Sequence, residues 1–212
     1  MSKEPLPSLE LKWKALELDE SDLKLYAPIG RLIFHVAKLE FELDQYFFLF
    51  QEKLPKIAQV LAPKFPDKYE GKRDLFVNTF AEHPPLQHIG DANGELDWDE
   101  IKLVFDKLFE ARNHLAHGAI YHSRTKDKRI VFRAKKYSRV GKQRFQKVEY
   151  EFSDVFLERM YESCLYLKAL VRNASALLNG EDIETELNKL RQNRLKYLEL
   201  IKQFDTKSEI EE

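Results

Sequence analysis

The chain has 212 residues, 43% hydrophobic and 33% charged, with only 7 Gly and 8 Pro. That balance suits one domain with appendages, built from long solvent-facing helices rather than a compact sandwich. The net charge of −1 is unevenly spread: between His122 and Val148, eleven Lys or Arg face Asp127 alone, which leaves that segment near +10 and the remainder near −11. An asymmetry of that size raises the question of a polyanionic partner.

The lone Cys164 excludes an internal disulfide and a cysteine-only zinc site, and it suits a reducing compartment. The longest apolar run, Tyr46 to Phe50, is too short to span a bilayer, and Met1 to Glu10, with Lys3, Glu4 and two prolines, does not read as a signal peptide. A cytoplasmic protein with no membrane partner is expected.

Residues 1–20 read as an extended arm, because Pro5 and Pro7 oppose a helix and Leu9, Leu11 and Trp13 alternate. A long helix is expected from about Ile29 to Gln51, with Pro28 near its first turn. Steps of about 100° per residue resolve two apolar stripes on it. One holds Ile29, Leu32, Ile33, Val36, Leu39, Leu43, Phe47 and Phe50; the other, narrower, holds Gly30, Phe34, Ala37, Phe41 and Phe48. One stripe suffices for a monomer's core. The second, with Phe34, Phe41 and Phe48 at heptad spacing, calls for another helix, either in the same chain or in a homodimer.

Short helices are expected at Pro55 to Leu61 and Lys72 to Ala81, and Glu82 to Glu95 reads as a loop. Asp97 and Glu100 resemble a capping box that opens a helix with Ile101, Val104, Phe105, Leu108 and Leu115 on one face, stopped by Gly118. The period then changes to two. Ile130, Phe132 and Ala134 alternate with Val131, Arg133 and Lys135, and later Val148, Tyr150 and Phe152 alternate with Glu149 and Glu151. A β-hairpin is expected, turning at Ser138 to Lys142, with Ala119 to His122 as a candidate third strand. Ser153-Asp154 should cap a helix to about Leu178, ended by Asn179-Gly180, and a last helix, Ile183 to Phe204, suits docking or dimerisation. The expected fold is therefore mainly α: a helical domain over 21–178 with a basic β-hairpin inserted at about 119–152, and a C-terminal helix over 181–205.

Phe109 to Gly118 carries the chemistry. Arg112 falls inside the apolar stripe of its helix, so its permanent charge must be paired, hydrated in a cleft, or used. Asn113 and His117, four residues apart, share a neighbouring face. Cleaving RNA without a metal needs a base for the 2′-OH proton, an acid for the departing 5′-oxygen, and positive charge on the phosphorane. Histidine titrates near neutrality, and arginine forks onto phosphate oxygens. A single copy offers one strong candidate imidazole, so two facing copies would complete such a site more naturally.

Arg112-Asn113-His114-Leu115-Ala116-His117-Gly118 resembles the signature of the HEPN superfamily, an Arg followed by a polar residue and then a His several residues on. The resemblance implies a dimeric helical bundle with a composite, metal-independent endoribonuclease site that needs no cofactor. It gives the functional positions to Arg112, Asn113 and His117. It also implies non-catalytic relatives that serve as binding or assembly modules, and toxin-type members restrained by a regulatory partner protein. Those members place a Tyr two residues beyond the His, where this chain has Ala119. A toxin or phage-defence role would follow from family analogy alone.

Each signal has a plainer reading. Arg112 could form a structural salt bridge to Glu40, and His117 could answer the helix dipole. Asn113 could make a helix-end hydrogen bond. His114, nearly opposite the apolar stripe, should be solvated. His114 and His117 could share a metal, although no second ligand cluster accompanies them. Cys164 should be core. In the hairpin, Arg129, Arg133, Lys135, Lys136, Arg139, Lys142 and Arg144 are the candidate RNA contacts, with Tyr121, Phe132, Tyr137 and Phe145 as candidate stacking rings. The alternatives are a plain charged surface, or contact with the protein's own acidic remainder.

Overall fold

The computed structural model describes residues 20–82, 86, 98–124, 130–140, 144–182, 184, 185 and 188. In chain order these form α1 (Glu20–Lys53), α2 (Pro55–Leu61), α3 (Tyr69–Glu82), α4 (Trp98–His117), β1 (Ala119–Arg124), β2 (Ile130–Val140), β3 (Arg144–Ser153) and α5 (Asp154–Leu178). The result is a mainly helical bundle with a small antiparallel sheet inserted between α4 and α5. The expected arm, most of the loop after α3, the Asp97 cap and nearly all of the last helix lie outside the described residues.

α1 is longer than the sequence pattern suggests, because Pro28 lies inside it and does not open it. The helix continues upstream to Glu20, and Ile29 and Leu32, just beyond the proline, are buried. Its predicted core stripe is almost wholly buried, with Ile33 partly so, and Tyr46 joins it by donating to or accepting from the Thr79 hydroxyl at 2.6 Å. Burial among Phe47, Phe50 and Phe76 pushes the Tyr46 phenol well above its ordinary pKa.

Contacts along the helices set their directions. Arg31 pairs with Glu158, His35 meets Tyr161, and Glu42 pairs with Arg172, so α1 and α5 run parallel. Tyr69 stacks on Phe109, Arg73 pairs with Asp106, and Phe80 meets Trp98, so α3 and α4 run antiparallel. Phe76, Phe105 and Tyr46 knit α1, α3 and α4 into one core.

α5 follows its sequence signals closely. The Ser153 hydroxyl accepts from the Phe156 N–H at 3.0 Å, an N-cap. At the other end Gly180 has φ +77°, and the Gly180 and Glu181 N–H groups donate back to the Leu177 and Ala176 carbonyls. That is a Schellman ending, whose left-handed residue is best served by glycine.

The sheet has the order β1-β2-β3, all antiparallel, so the candidate third strand is present. Phe132 stands opposite Phe152 and Ala134 opposite Tyr150. Phe132, Ala134 and Phe152 are buried in the bundle's core. Tyr26 near the start of α1 touches both Phe132 and His122, its hydroxyl lying 3.1 Å from His122 Nδ1.

Candidate functional site

Arg112, Asn113, His114 and His117 occupy the last two turns of α4. Helix phase places Arg112 among Ile101, Phe105 and Leu108, all buried. Its Nη1 donates to Asn113 Oδ1 at 3.0 Å. Its Nε is shut off from solvent and has no hydrogen-bond partner among the described residues. Glu40, the expected structural partner, instead lies 4.0 Å from Lys72, which pairs more closely with Asp44 at 2.6 Å. Among the described residues the guanidinium is therefore held by a neutral amide rather than by a carboxylate.

His117 is exposed, in the final turn. It lies about 140° around the helix from Arg112 and about 40° from Asn113. Arg112 and Asn113 are thus brought together, and His117 is displayed to solvent beside Asn113. Within one chain, the cation and the imidazole point from different faces.

His114 corrects the sequence reading. It is buried, not solvated, with its ring stacked on Tyr150 at 3.5 Å between centroids. The Tyr150 hydroxyl donates to Glu110 Oε1 at 3.1 Å, and His114 Nε2 lies 4.0 Å from the same oxygen. Burial and the hydrogen bond to the Glu110 carboxylate raise the Tyr150 pKa. The missed signal was the apolar face of β3: Tyr150 and Phe152 need cover, and the α4 face carrying Glu110 and His114 supplies it for Tyr150. His114 and His117 therefore stand in different surroundings, and no group of three or more metal-ligating side chains gathers among the described residues.

Gly118 ends α4 for a reason other than a left-handed turn, since its φ is not positive. A Cβ there would meet the His114 carbonyl oxygen at 2.5 Å, Ala134 Cβ at 3.2 Å and the Lys135 carbonyl oxygen at 3.3 Å. The glycine allows β2 to approach the end of the motif helix closely.

The candidate RNA contacts divide three ways. Arg129 and Lys142 lie outside the described residues. Lys136, Arg139 and Arg144 have defined strand register, opposite Val148, Phe145 and Val140. Arg133 and Lys135 stand opposite Glu151 and Glu149, and Arg133 Nε donates to Glu151 Oε2 at 3.1 Å. Those two acids fall just past the basic segment as counted along the chain, so the register partly offsets the charge at the base of the hairpin.

A second polar group, absent from the sequence reading, lies in the seam between α1 and α5. Lys168 and Glu42 are buried. Lys168 Nζ is 3.3 Å from His35 Nδ1 and 4.0 Å from Glu42, which pairs with Arg172 at 2.6 Å. Burial, then the nearby cations Lys168, Lys38 and Arg31, lower the His35 pKa, against a smaller opposing effect of Glu42. The only sequence hint was a lysine at a position in phase with the apolar stripe of α5. Cys164, beside this seam, is fully buried and its thiol is pushed up to about 12.

No helix of the described residues is long and apolar enough to cross a membrane. No family model, curated protein or solved structure matches the chain.

Proposed function

We propose that the chain is a HEPN-like, metal-independent endoribonuclease that works as a homodimer. The observation that carries this reading is the guanidinium of Arg112. It sits in the apolar face of α4, with Nε buried and, among the described residues, unpartnered, and with Asn113 and no carboxylate as its hydrogen-bond partner. A buried guanidinium N–H without an acceptor is costly. A phosphate oxygen would satisfy both the charge and the fork.

In the proposed reaction the 2′-oxygen attacks phosphorus and the bond from phosphorus to the 5′-oxygen breaks. One His117 takes the 2′-OH proton and the His117 of the second copy delivers a proton to the leaving oxygen. Arg112 stabilises the charge that builds on the phosphorane, oriented by Asn113. The products are a 2′,3′-cyclic phosphate, or its opened form, and a 5′-OH. Two copies are needed because a single chain displays one His117, on a different face from its own Arg112. The hairpin cations would hold the RNA backbone, with Arg133 the weakest contributor because Glu151 already takes its charge.

The test is incubation of total RNA in EDTA with wild type, Arg112→Ala and His117→Ala, after circular dichroism shows all three equally folded. Cleavage lost in both variants, with 5′-OH ends, is expected. Cleavage that needs a divalent metal and leaves 5′-phosphates would refute the mechanism. RNA binding without cleavage would leave the non-catalytic binding or assembly module, and a regulatory partner protein would then be sought.

A further inference from the structure

The second stripe of α1 is bare. Phe34, Phe41 and Phe48 are 63%, 59% and 71% exposed, and Gly30 and Ala37 between them are exposed as well. On the helix wheel this row lies nearly opposite the core stripe. The neighbouring helices miss it: α5 holds one flank through Glu158 to Arg31, and α3 holds the other through Lys72 to Asp44. At roughly 150–250 Å² per aromatic side chain, the three rings leave on the order of 400 Å² of contiguous apolar surface. That reaches the size at which exposed patches mark docking sites, and it is about half of one partner's share of a standard interface.

We infer that α1 pairs with α1 of a second copy, antiparallel, about a two-fold axis passing at Phe41. In this register Phe41 meets its own counterpart and Phe34 of each copy meets Phe48 of the other. Each Phe48 ring then enters a hole bounded by Gly30, Phe34, Ala37 and Phe41, the knob-into-hole arrangement that heptad spacing produces. The small residues fit that role, since a Cβ built on Gly30 meets nothing within 4 Å. In a lone chain an exposed mid-helix glycine only weakens the helix.

Charge selects the direction. The exposed cations Lys24, Arg31 and Lys38 lie on the first half of the face, and the acids Asp44 and Glu52 on the second. An antiparallel pair brings Arg31 of one copy to Glu52 of the other on the same flank of the row, whereas Lys38 and Asp44 stand about 60° to opposite sides of it. A parallel pair would set Glu52 against Glu52 and leave Arg31 with no acid opposite. Asp44 and Arg31 already have partners in their own chain, Lys72 and Glu158. Lys38 and Glu52 have no ion-pair partner among the described residues.

This inference rests on the bare row and goes beyond the composite-site reading: the row faces away from the core that α4 helps to form, so the pairing leaves the two motif helices on the outer sides of the α1 pair. The bare row rests on neither RNA nor catalysis, so association can be measured apart from cleavage. Sedimentation velocity on the full chain should show a dimer in the micromolar range. Phe41→Asp, at an exposed position that leaves the core intact, should weaken association by about 30-fold or more, the effect of losing a central hot spot. Single cysteines fix the register, with buried Cys164 left in place. Under oxidation Phe41→Cys should cross-link to itself, and Phe34→Cys and Phe48→Cys should cross-link only when mixed.

A wild type that is monomeric at every concentration overturns the inference, whether the row is covered by another part of the chain or by a different protein. A dimer indifferent to Phe41→Asp overturns it too, and self-linking of Phe34→Cys overturns the antiparallel register. An intact dimer with no ribonuclease activity counts against the enzyme and leaves the interface standing.

Discussion

Replacing Arg112 by Met separates a functional cation from a structural one. Met keeps the unbranched stem among Ile101, Phe105 and Leu108 and removes the buried, unpartnered Nε. Relieving a buried unsatisfied donor is worth about 1–3 kcal/mol. Losing the hydrogen bond to Asn113 costs about 1 kcal/mol, discounted because that pair is only part-buried and the freed amide can meet water. The expected balance is a gain of about 1 kcal/mol, or a Tm higher by about 2–4 °C in a chain of this size. Calorimetric melts of the two proteins, followed by RNA digestion in EDTA, read both consequences. A more stable protein that no longer cleaves RNA is the trade-off expected of an active-site residue. A Tm lowered by more than about 5 °C, which would correspond to roughly 2 kcal/mol, would show that the guanidinium holds the fold together, and the functional argument from its burial would fail.

Three further outcomes follow from the geometry. Tyr150→Phe keeps the stack on His114 and loses only the bond to Glu110, so it should cost about 0.5–1 kcal/mol, whereas Tyr150→Ala should cost about 2–4 kcal/mol; equal losses in urea titrations would contradict the stacked arrangement. Gly118→Ala should destabilise by about 1–3 kcal/mol, because the added Cβ meets the His114 carbonyl oxygen at 2.5 Å, and thermal melts that match wild type would refute that close approach. For His35, whose folded pKa lies below 6.5, the unfolded chain binds the extra proton. Its contribution to stability should therefore be complete above about pH 6.5 and decline as pH falls toward the folded pKa. His35→Gln, facing the same Lys168, Lys38, Arg31 and Glu42, should flatten that slope in melts from pH 7 to 5, and an unchanged slope would assign the decline to other groups.

Local signals were legible where a single residue type answers a single backbone need. Ser153 caps α5 and Gly180 closes it, both as the sequence suggests, because a hydroxyl and a left-handed turn act within a few residues. Pro28 misled. A proline is common in the first turn of a helix, and nothing local distinguishes that from one tolerated inside a longer helix whose downstream residues are anchored by a core. His114 was misplaced because a helical wheel knows only its own helix, and Tyr150 arrives from 36 residues further along. The pairing of Arg133 with Glu151 was hidden for the same reason, since it runs across the strands and not along the chain. For the motif, sequence placed Arg112 correctly in the apolar face but could not choose its partner, since that depended on where Lys72 settled relative to Glu40.

The parallel seam of α1 and α5 has a consequence for synthesis. Its contacts join residues 127, 130 and 133 positions apart. At about 5–20 residues per second, the hundred or so residues between the two helices take roughly 5–20 s to make. During that time the part of the core stripe of α1 that α5 will cover is finished and has nothing to cover it. The nascent chain therefore passes through a stage in which both apolar sides of α1 are open at once, one awaiting α5 and the other, on the pairing inferred above, awaiting a second molecule. Whichever cover comes first decides whether two ribosomes' products meet as finished folds or as half-built ones.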